Sequence, residues 1–292
     1  MPIATSLLCP VDFSPGAERA LRHAVALAPI LGAHLTVTAV NDPLLVAAAS
    51  ASGHGAALRD QVESALQDLL ARVPAPAGRA VPAIDIATGQ PAEEILKSAE
   101  RAGASLIVMG TRGLGAAGRL LVGSTAERVL RSAHVPVLVV PDYTPERLSV
   151  EGGQARCTVG HVVAGVGLDP TDTLVATAAG DWAAALGVPL TLAHVSREVP
   201  TPAWWPFTAP APETEASIRA QLGSLARSVP AAAAAHLDTR KGDVGDVLGE
   251  IVRDRNAGLL VVSRGSGASR LGATAYRVMT SAAVPTLVVA GA

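Results

Sequence analysis

The sequence predicts an α/β protein of two tandem units, each a doubly wound, five-stranded parallel sheet with strand order 3-2-1-4-5. Two observations support this prediction. The 292-residue chain repeats its own pattern at an offset of about 155 residues, and short apolar runs alternate with stretches of helical length. Apolar runs without internal alternation are typical of strands that are buried on both faces by helices.

The first helix of each unit shows the repeat most clearly. A periodic stretch at 14–32 begins with Ser-Pro and ends with Gly, and its counterpart at 169–187 begins with Asp-Pro and ends with Gly. Ser and Asp are common N-cap residues, Pro fits the first helical position, and Gly fits the position after the last turn. We therefore expect a capped helix at the same place in both units.

The remaining elements of the first unit follow in alternation. Strands are expected at 3–11, 34–40, 80–87, 105–110 and 136–141. Helices are expected at 15–31, 57–72, 91–101 and 124–133, with a loop across 41–56. Strands that alternate with helices need crossover connections, so the predicted sheet is parallel and the fold is Rossmann-like.

The domain boundaries follow from the repeat. The first unit is expected at 1–143, a polar, Gly-containing linker at 144–157, and the second unit at 158–292. The closing strands of both units are apolar to their ends, and such edge strands invite pairing. We therefore expect the two halves to pair there as an intramolecular pseudo-dimer, and a further homodimer remains open.

Composition excludes several classes of function. The formal net charge is −2 and the isoelectric point about 6.4, so the chain offers no basic field for nucleic acid. Its two cysteines form no disulfide framework, and its seven histidines have no metal-ligand spacing. No basic leader and no apolar run of the ~18 residues needed for a membrane span is visible, so we expect a cytoplasmic protein without membrane contact.

The unusual residues of the first unit lie after its first and fourth strands. In a sheet of this order the winding reverses between those strands, and ligands bind at that point. The segment from Met109 onwards reads MGTRGLGAAGRLLVGSTAERVL. Its Ser124 to Glu127 fit the S-x-x-E capping box, so we expect a hydroxyl-capped helix whose free amides and dipole favour phosphate.

The spacing G-x2-G-x9-G-[S/T] at 110–124 resembles the nucleotide-binding signature of the universal stress protein family. PVDFSPGAERAL at 10–21 resembles the family's first strand and helix, HVPVLVV at 134–140 resembles its last strand, and the two halves together resemble a tandem member. The resemblance implies ATP, with or without Mg²⁺, bound in the first unit. The residues it assigns are Pro10, Val11, Asp12, Val40, Met109, Gly110, Arg112, Gly113, Gly123, Ser124 and Thr125.

Other interpretations of these residues remain open. Asp12 is alternatively a loop carboxylate that accepts turn amides, and Ser124 with Thr125 alternatively caps a helix without a ligand. Arg112 is either a phosphate contact or a solvated side chain. Val40 and Met109 are alternatively plain core residues of the sheet.

The second unit departs from the pattern. Gly167 stands opposite Asp12, and either Val262 or Ser263 stands opposite Gly110. Gly265 is followed by the next signature glycine after six residues instead of nine, and Ala273 replaces the hydroxyl residue. We expect no tight ATP site in this half.

The predicted function is that of a nucleotide-sensing regulatory module for stress response, without committed catalytic residues. A weak ATPase or autophosphorylating enzyme on the same site, and a nucleotide-free interaction protein, are the alternatives. The aromatic segment PTPAWWPFTAPAP at 200–212 is either a patch for an unidentified protein partner or packing over the second cleft or against the other half.

Overall fold

The computed structural model describes residues 3–111, 122–142, 145–196, 214–265 and 273–290. The strands of the first unit are β1 (Ser6–Pro10), β2 (His34–Asn41), β3 (Ala83–Thr88), β4 (Leu106–Gly110) and β5 (Val137–Val140). Its helices are α1 (Pro15–Leu31), α2 (Pro43–Ala51), α3 (Gly55–Arg72), α4 (Pro91–Arg101) and α5 (Ser124–Ser132).

A β-hairpin and the second unit follow. The hairpin strands are β6 (Leu148–Glu151) and β7 (Gln154–Cys157). The strands of the second unit are β8 (Val162–Gly165), β9 (Leu190–Ser196), β10 (His236–Lys241), β11 (Leu259–Ser263) and β12 (Thr286–Val289). Its helices are α6 (Asp172–Leu186), α7 (Glu215–Ser228), α8 (Val244–Asp254) and α9 (Ala273–Ser281), with a short 3₁₀ turn at Pro230–Ala232.

One ten-stranded sheet runs through both units. Its strand order is β10-β9-β8-β11-β12-β5-β4-β1-β2-β3, so each half has the predicted order 3-2-1-4-5. Within each half the strand pairs are parallel. The halves meet where β5 pairs antiparallel with β12, with Leu138 opposite Leu287. Both of these leucines are buried, so the junction is part of the core.

Helices cover both faces of the sheet. One face packs against α1, α3, α6 and α7, and the other against α4, α5, α8 and α9. Alternate strand residues belong to opposite faces, as Leu7 and Leu8 of β1 do. None of the helices within the described ranges is long and apolar enough to cross a membrane.

The cap predicted for α1 is confirmed, whereas that for α6 is wrong. Ser14 caps α1 by accepting from the amide of Ala17. In the second unit, Asp169 and Pro170 form a turn, and the helix begins at Asp172, two positions later in the repeat. The physical reason is that Asp169 accepts from the amide and hydroxyl of Thr171, which holds the chain in a turn before the helix begins.

The loop predicted across 41–56 contains a helix, α2. Asp42 caps it by accepting from the amide of Leu44, and Pro43 occupies its first turn. None of its residues is buried, and Leu44 is 80% exposed. The prediction failed because an apolar helix without a buried face shows no helical periodicity, while its capping residues and alanines favour a helix locally.

The segment predicted as a linker contains the hairpin of β6 and β7. Gly152 and Gly153 both have positive φ, 57° and 77°, as the tight turn of a two-residue hairpin needs. Leu148 is buried in the core that includes α1. The hairpin therefore packs against the first unit.

Candidate functional site

The strand order places the carboxyl ends of β1, β2 and β4 side by side. Strand β1 pairs with β4 on one side and with β2 on the other, and the winding reverses between β1 and β4. Val11 continues the ladder beyond β1, donating its amide to the carbonyl of Thr38 at 2.8 Å. The sheet thus brings three features together at the carboxyl end of its strands: the loop after β1, Val40 of β2 and the end of β4.

The loop after β1 presents its carboxylate to solvent. Pro10 and Val11 are buried, while Asp12 is exposed. One carboxylate oxygen of Asp12 accepts from the amide of Ser14 at 3.1 Å. Phe13 between them is held in the left-handed region with φ 61° and is 42% exposed. Asp12 therefore satisfies a turn amide and still faces the open edge of the sheet.

Gly110, the last residue of β4, allows the first turn of α1 to approach it closely. A Cβ atom on Gly110 would lie 2.8 Å from the carbonyl oxygen of Gly16. The atom that this Cβ would meet belongs to the backbone, so no side-chain rotation relieves the contact. Gly110 thus brings the end of β4 against the helix that begins directly after the Asp12 loop. Met109, one residue earlier, is buried within the sheet, and Val40 is half-buried.

The two ends of the glycine-rich segment meet at the end of β4. The amide of Gly123 donates to the carbonyl of Thr111 at 2.8 Å, and the amide of Thr111 donates to Val140. The Thr111 hydroxyl donates to the carboxylate of Asp142 at 3.0 Å. Segment 112–121, with the predicted site residues Arg112 and Gly113, lies outside the described residues.

The predicted serine cap of α5 is wrong. Gly123 is the N-cap, with extended dihedrals, and its carbonyl accepts from Glu127 at 2.9 Å. Ser124 is therefore the first helical residue, and its hydroxyl makes no capping bond. The physical reason is that the Gly123 amide is fixed to Thr111, so the chain turns into the helix one residue early. The amides of Ser124 and Thr125 precede the first hydrogen bond within the helix, so they have no acceptor inside it. Amides at this position are the donors that bind anions at a helix N-terminus.

In the equivalent loop of the second unit, a carboxylate of the same unit accepts hydrogen bonds from the loop amides. Asp172, which is 5% exposed, accepts from the amides of Gly167 at 2.9 Å and Asp169 at 3.0 Å. Burial raises the pKa of Asp172, although these amide bonds oppose the shift. Gly167 has no side chain to offer a ligand. Sequence analysis missed Asp172, whose counterpart in the repeat is the apolar Ala17.

The end of β11 also differs from the end of β4. Ser263 pairs with Val289 as Gly110 pairs with Val140, so Ser263 occupies the glycine position and the alternative Val262 is excluded. Arg264 follows in the place of Thr111, and its amide likewise donates to the closing strand, at Val289. The shortened loop at 266–272 lies outside the described residues.

Helices α8 and α9 of the second unit are tied by an ion pair. Asp243 caps α8 by accepting from the amides of Gly245 and Asp246, and Arg277 of α9 contacts the same carboxylate at 2.5 Å. The first unit has Gln90 at the corresponding N-cap, without a side-chain capping bond. No group of three His, Cys, Asp or Glu side chains suited to a metal occurs in the portion of the chain that the structure describes.

Comparison with known proteins agrees with a fold of two tandem units. The family model described as the universal stress protein family matches residues 5–141 and again 158–290. Universal stress protein MJ0531 of Methanocaldococcus jannaschii is 35% identical over 136 residues, which cover 46% of this chain and 80% of that protein. The two ranges matched by the family model cover both units of the sheet.

Solved structures show the same fold over the full length. A universal stress protein from Archaeoglobus fulgidus has a TM-score of 0.65 at 19% identity, covering 99% of this chain and 96% of that one. A Pseudomonas aeruginosa structure described as a universal stress protein has a TM-score of 0.62 at 17% identity, covering 98% and 93%. The chain therefore belongs to the universal stress protein family and carries two of its domains in tandem.

Proposed function

We propose that the chain binds ATP in its first unit and acts as a nucleotide-sensing regulatory module. The observation that carries this proposal is the convergence of three segments at one edge of the sheet. The exposed carboxylate of Asp12, the close approach at Gly110, and the free first-turn amides of α5 all lie around the end of β4. An acceptor for ribose or adenine and donors for phosphate are the groups that ATP requires.

Each segment has a role in the proposed complex. Asp12, with Pro10 and Val11 behind it, faces the ribose and base, and Val40 borders the base. Met109 and Gly110 lead into the glycine-rich segment, where Arg112 and Gly113 approach the phosphates. Gly123, Ser124 and Thr125 receive the outer phosphates at the start of α5. Mg²⁺ would enter on the phosphates, because it keeps most of its water and uses few protein ligands.

A regulatory role fits this chemistry better than a committed catalytic one. The proposed binding groups are backbone amides, hydroxyls, the Asp12 carboxylate and the Arg112 guanidinium. Among those that the structure describes, none forms a nucleophile–base pair of the kind that activates an attacking group. Slow hydrolysis of ATP, or phosphorylation of the exposed Ser124 hydroxyl at the phosphate end, is the alternative on the same site.

We further propose that the two units form an intramolecular pseudo-dimer. The antiparallel pairing of β5 with β12 supports this arrangement, because it joins two parallel sheets through equivalent closing strands. Each unit then provides one strand of the junction. Because β5 and β12 pair with each other there, the paired edges of these strands cannot pair with other chains.

The test is nucleotide content followed by a stabilisation assay. The supernatant of heat-denatured, freshly purified protein is expected to contain ATP. ADP or AMP instead would favour the hydrolytic alternative, and no nucleotide would favour the interaction protein. Added ATP at a concentration of about 100 Kd should stabilise the chain by about 2.7 kcal/mol, measured as a shift in Tm.

Matched variants assign that shift to one unit. Asp12→Ala should abolish the ATP-dependent shift, because it deletes the carboxylate that faces the ligand. Asp169→Ala, an exposed loop carboxylate at the matching corner of the second unit, should leave the shift unchanged. The proposal is wrong if Asp169→Ala removes the shift and Asp12→Ala does not.

A further inference from the structure

The second unit reaches across the junction to the helix that carries the proposed phosphate site. The guanidinium group of Arg264 donates to the carbonyl oxygens of Arg131 and Ala133, each at 2.9 Å. Both carbonyls belong to the carboxyl end of α5, where Ala133 is the C-cap. Arg264 itself is fixed at the end of β11 by the bond from its amide to Val289.

This contact meets two needs of a helix terminus. The last carbonyls of a helix have no intrahelical partner, and the partial negative charge there favours a cation. Arg264 supplies donors and a positive charge together, and it is half-buried where it does so. Ala133 is 1% exposed, so water has little access to the residue that ends the helix.

We propose that Arg264 is a positioning residue for the ATP site of the first unit. This inference rests on the proposed function. The amides of Ser124 and Thr125 lie at one end of α5, and the two carbonyls bound by Arg264 lie at the other. Fixing one end of a rigid helix against the sheet orders the other end, and an ordered site loses less entropy when a phosphate binds.

The length of α5 makes that support important. The helix has nine residues, and helices shorter than about 12 residues are marginal without tertiary contacts. Its buried face, formed by Ala126, Val129 and Leu130, holds it against the sheet. The charge-assisted hydrogen bonds of Arg264 keep the last turn of α5 from fraying. In so short a helix, fraying that starts at the last turn would extend to the first turn.

Thr111 does not repeat this contact from the first unit. The counterpart of Arg264 in the first unit is Thr111, whose hydroxyl bonds to Asp142 of its own unit. A threonine is too short to repeat the contact of an arginine with the opposite helix. In this contact the second unit provides the arginine, and the first unit provides the helix end.

The experiment compares ATP with adenosine as ligands of the full chain, by calorimetric titration. Arg264→Met keeps the apolar stem and removes the charge and donors. It should weaken ATP binding about fivefold, the effect of about 1 kcal/mol at a helix terminus. Adenosine lacks the phosphates that α5 would receive, so its affinity should change less than about twofold. Arg264→Lys, which restores the charge, should recover part of the ATP affinity.

Arg255→Met is the matched control. Arg255 is also an arginine of the second unit. It pairs with Asp238 at 3.4 Å and makes no hydrogen bond to α5 among the described residues. This variant should change neither affinity. Equal weakening of ATP and adenosine by Arg264→Met, or no weakening of either, would overturn the inference while leaving ATP binding in place. Absence of ATP binding by the unaltered chain would instead refute the proposed function, and the inference with it.

Discussion

The two units of this protein share one fold and differ in the loop that follows the first strand of each. In the first unit, the loop after β1 leaves the Asp12 carboxylate exposed, and Gly110 admits the start of α1. In the second unit, the loop after β8 folds onto the buried carboxylate of Asp172, and Ser263 replaces the glycine. The difference lies in which residues satisfy the loop amides, because the strand order is identical.

This comparison suggests how a duplicated domain divides its roles. A loop whose amides are bound by a buried carboxylate has fewer donors left for a ligand. Two of the contacts that distinguish the second unit are internal to it, namely Asp172 within the β8 loop and Arg277 to Asp243 between helices. A third, from Arg264, reaches α5 of the first unit.

The largest expected effect comes from the glycine at the end of β4. Gly110→Ala should destabilise the chain by about 2–3 kcal/mol, because the new Cβ meets a backbone carbonyl that cannot rotate away. The free energy of unfolding is measured by urea denaturation. Ser263→Ala, the matched change in the second unit, should stay within about 0.5 kcal/mol. Equal losses of unfolding free energy in the two variants would contradict this expectation, because they would show that the close approach of strand and helix at Gly110 does not set the first unit apart.

A smaller effect is expected from the carboxylate that closes the second loop. Asp172→Ala should cost about 1–3 kcal/mol, because the amides of Gly167 and Asp169 lose their acceptor. ATP affinity, measured by titration, should remain unchanged. Loss of ATP binding without unfolding would mean that the second loop belongs to the binding site, and the contrast between the clefts would fail.

The pH dependence should depend on a buried histidine of the first unit. His23 is completely buried on α1. Its Nδ1 lies 3.0 Å from the carbonyl of Arg19, and its Nε2 has no partner among the described residues. Burial lowers the pKa of His23, because the charged imidazolium is poorly solvated there. Below about pH 6.5 the unfolded chain takes up a proton that the folded chain refuses, so stability should fall as the pH falls.

The measurement is urea denaturation at several pH values between 5.5 and 7.5. His23→Leu should reduce the loss of stability on the acid side. In the repeat, Ala178 of the second unit stands at the position of His23, so this contribution is confined to the first unit. An unchanged pH slope in His23→Leu would assign the acid sensitivity to another group, such as His161, whose pKa is also lowered by burial.

The smallest effect concerns an ion pair on α1. Arg22 contacts Glu18 and Glu146, each at 2.6 Å, and all three side chains are about one-third exposed. Arg22→Thr, which introduces the residue found at Thr177 in the second unit, should cost about 0.5 kcal/mol in urea denaturation. A loss of several kcal/mol would mean that the hairpin depends on this pair for its position.

Local patterns were sufficient to predict the strands and most helices. Apolar runs separated by capped, periodic stretches specified the strands and the ends of α1, because both depend on near neighbours in sequence. The N-cap of α5 was different, because both Gly123 and Ser124 suit that position. The hydrogen bond from Gly123 to Thr111, which lies on the other side of the glycine-rich segment, makes Gly123 the N-cap. The start of α6 was likewise displaced by the turn at Asp169, which a pattern of Asp-Pro does not distinguish from a cap.

The candidate site was predicted in part for the same reason. Glycine spacing identified Gly110 and the start of α5, since these positions need special backbone geometry. The contacts made by Arg264 and Asp172 were missed because they join elements across the junction or fold a loop onto itself. Such partners depend on tertiary geometry, and a single sequence does not contain it.

The stoichiometry of ATP binding by the full chain tests the central claim most directly. Calorimetric titration should give one ATP per chain, and Asp12→Ala should abolish it while Asp169→Ala leaves one. Two ATP molecules per chain, or a single molecule that survives Asp12→Ala and is lost in Asp169→Ala, would contradict the assignment of the nucleotide site to the first unit.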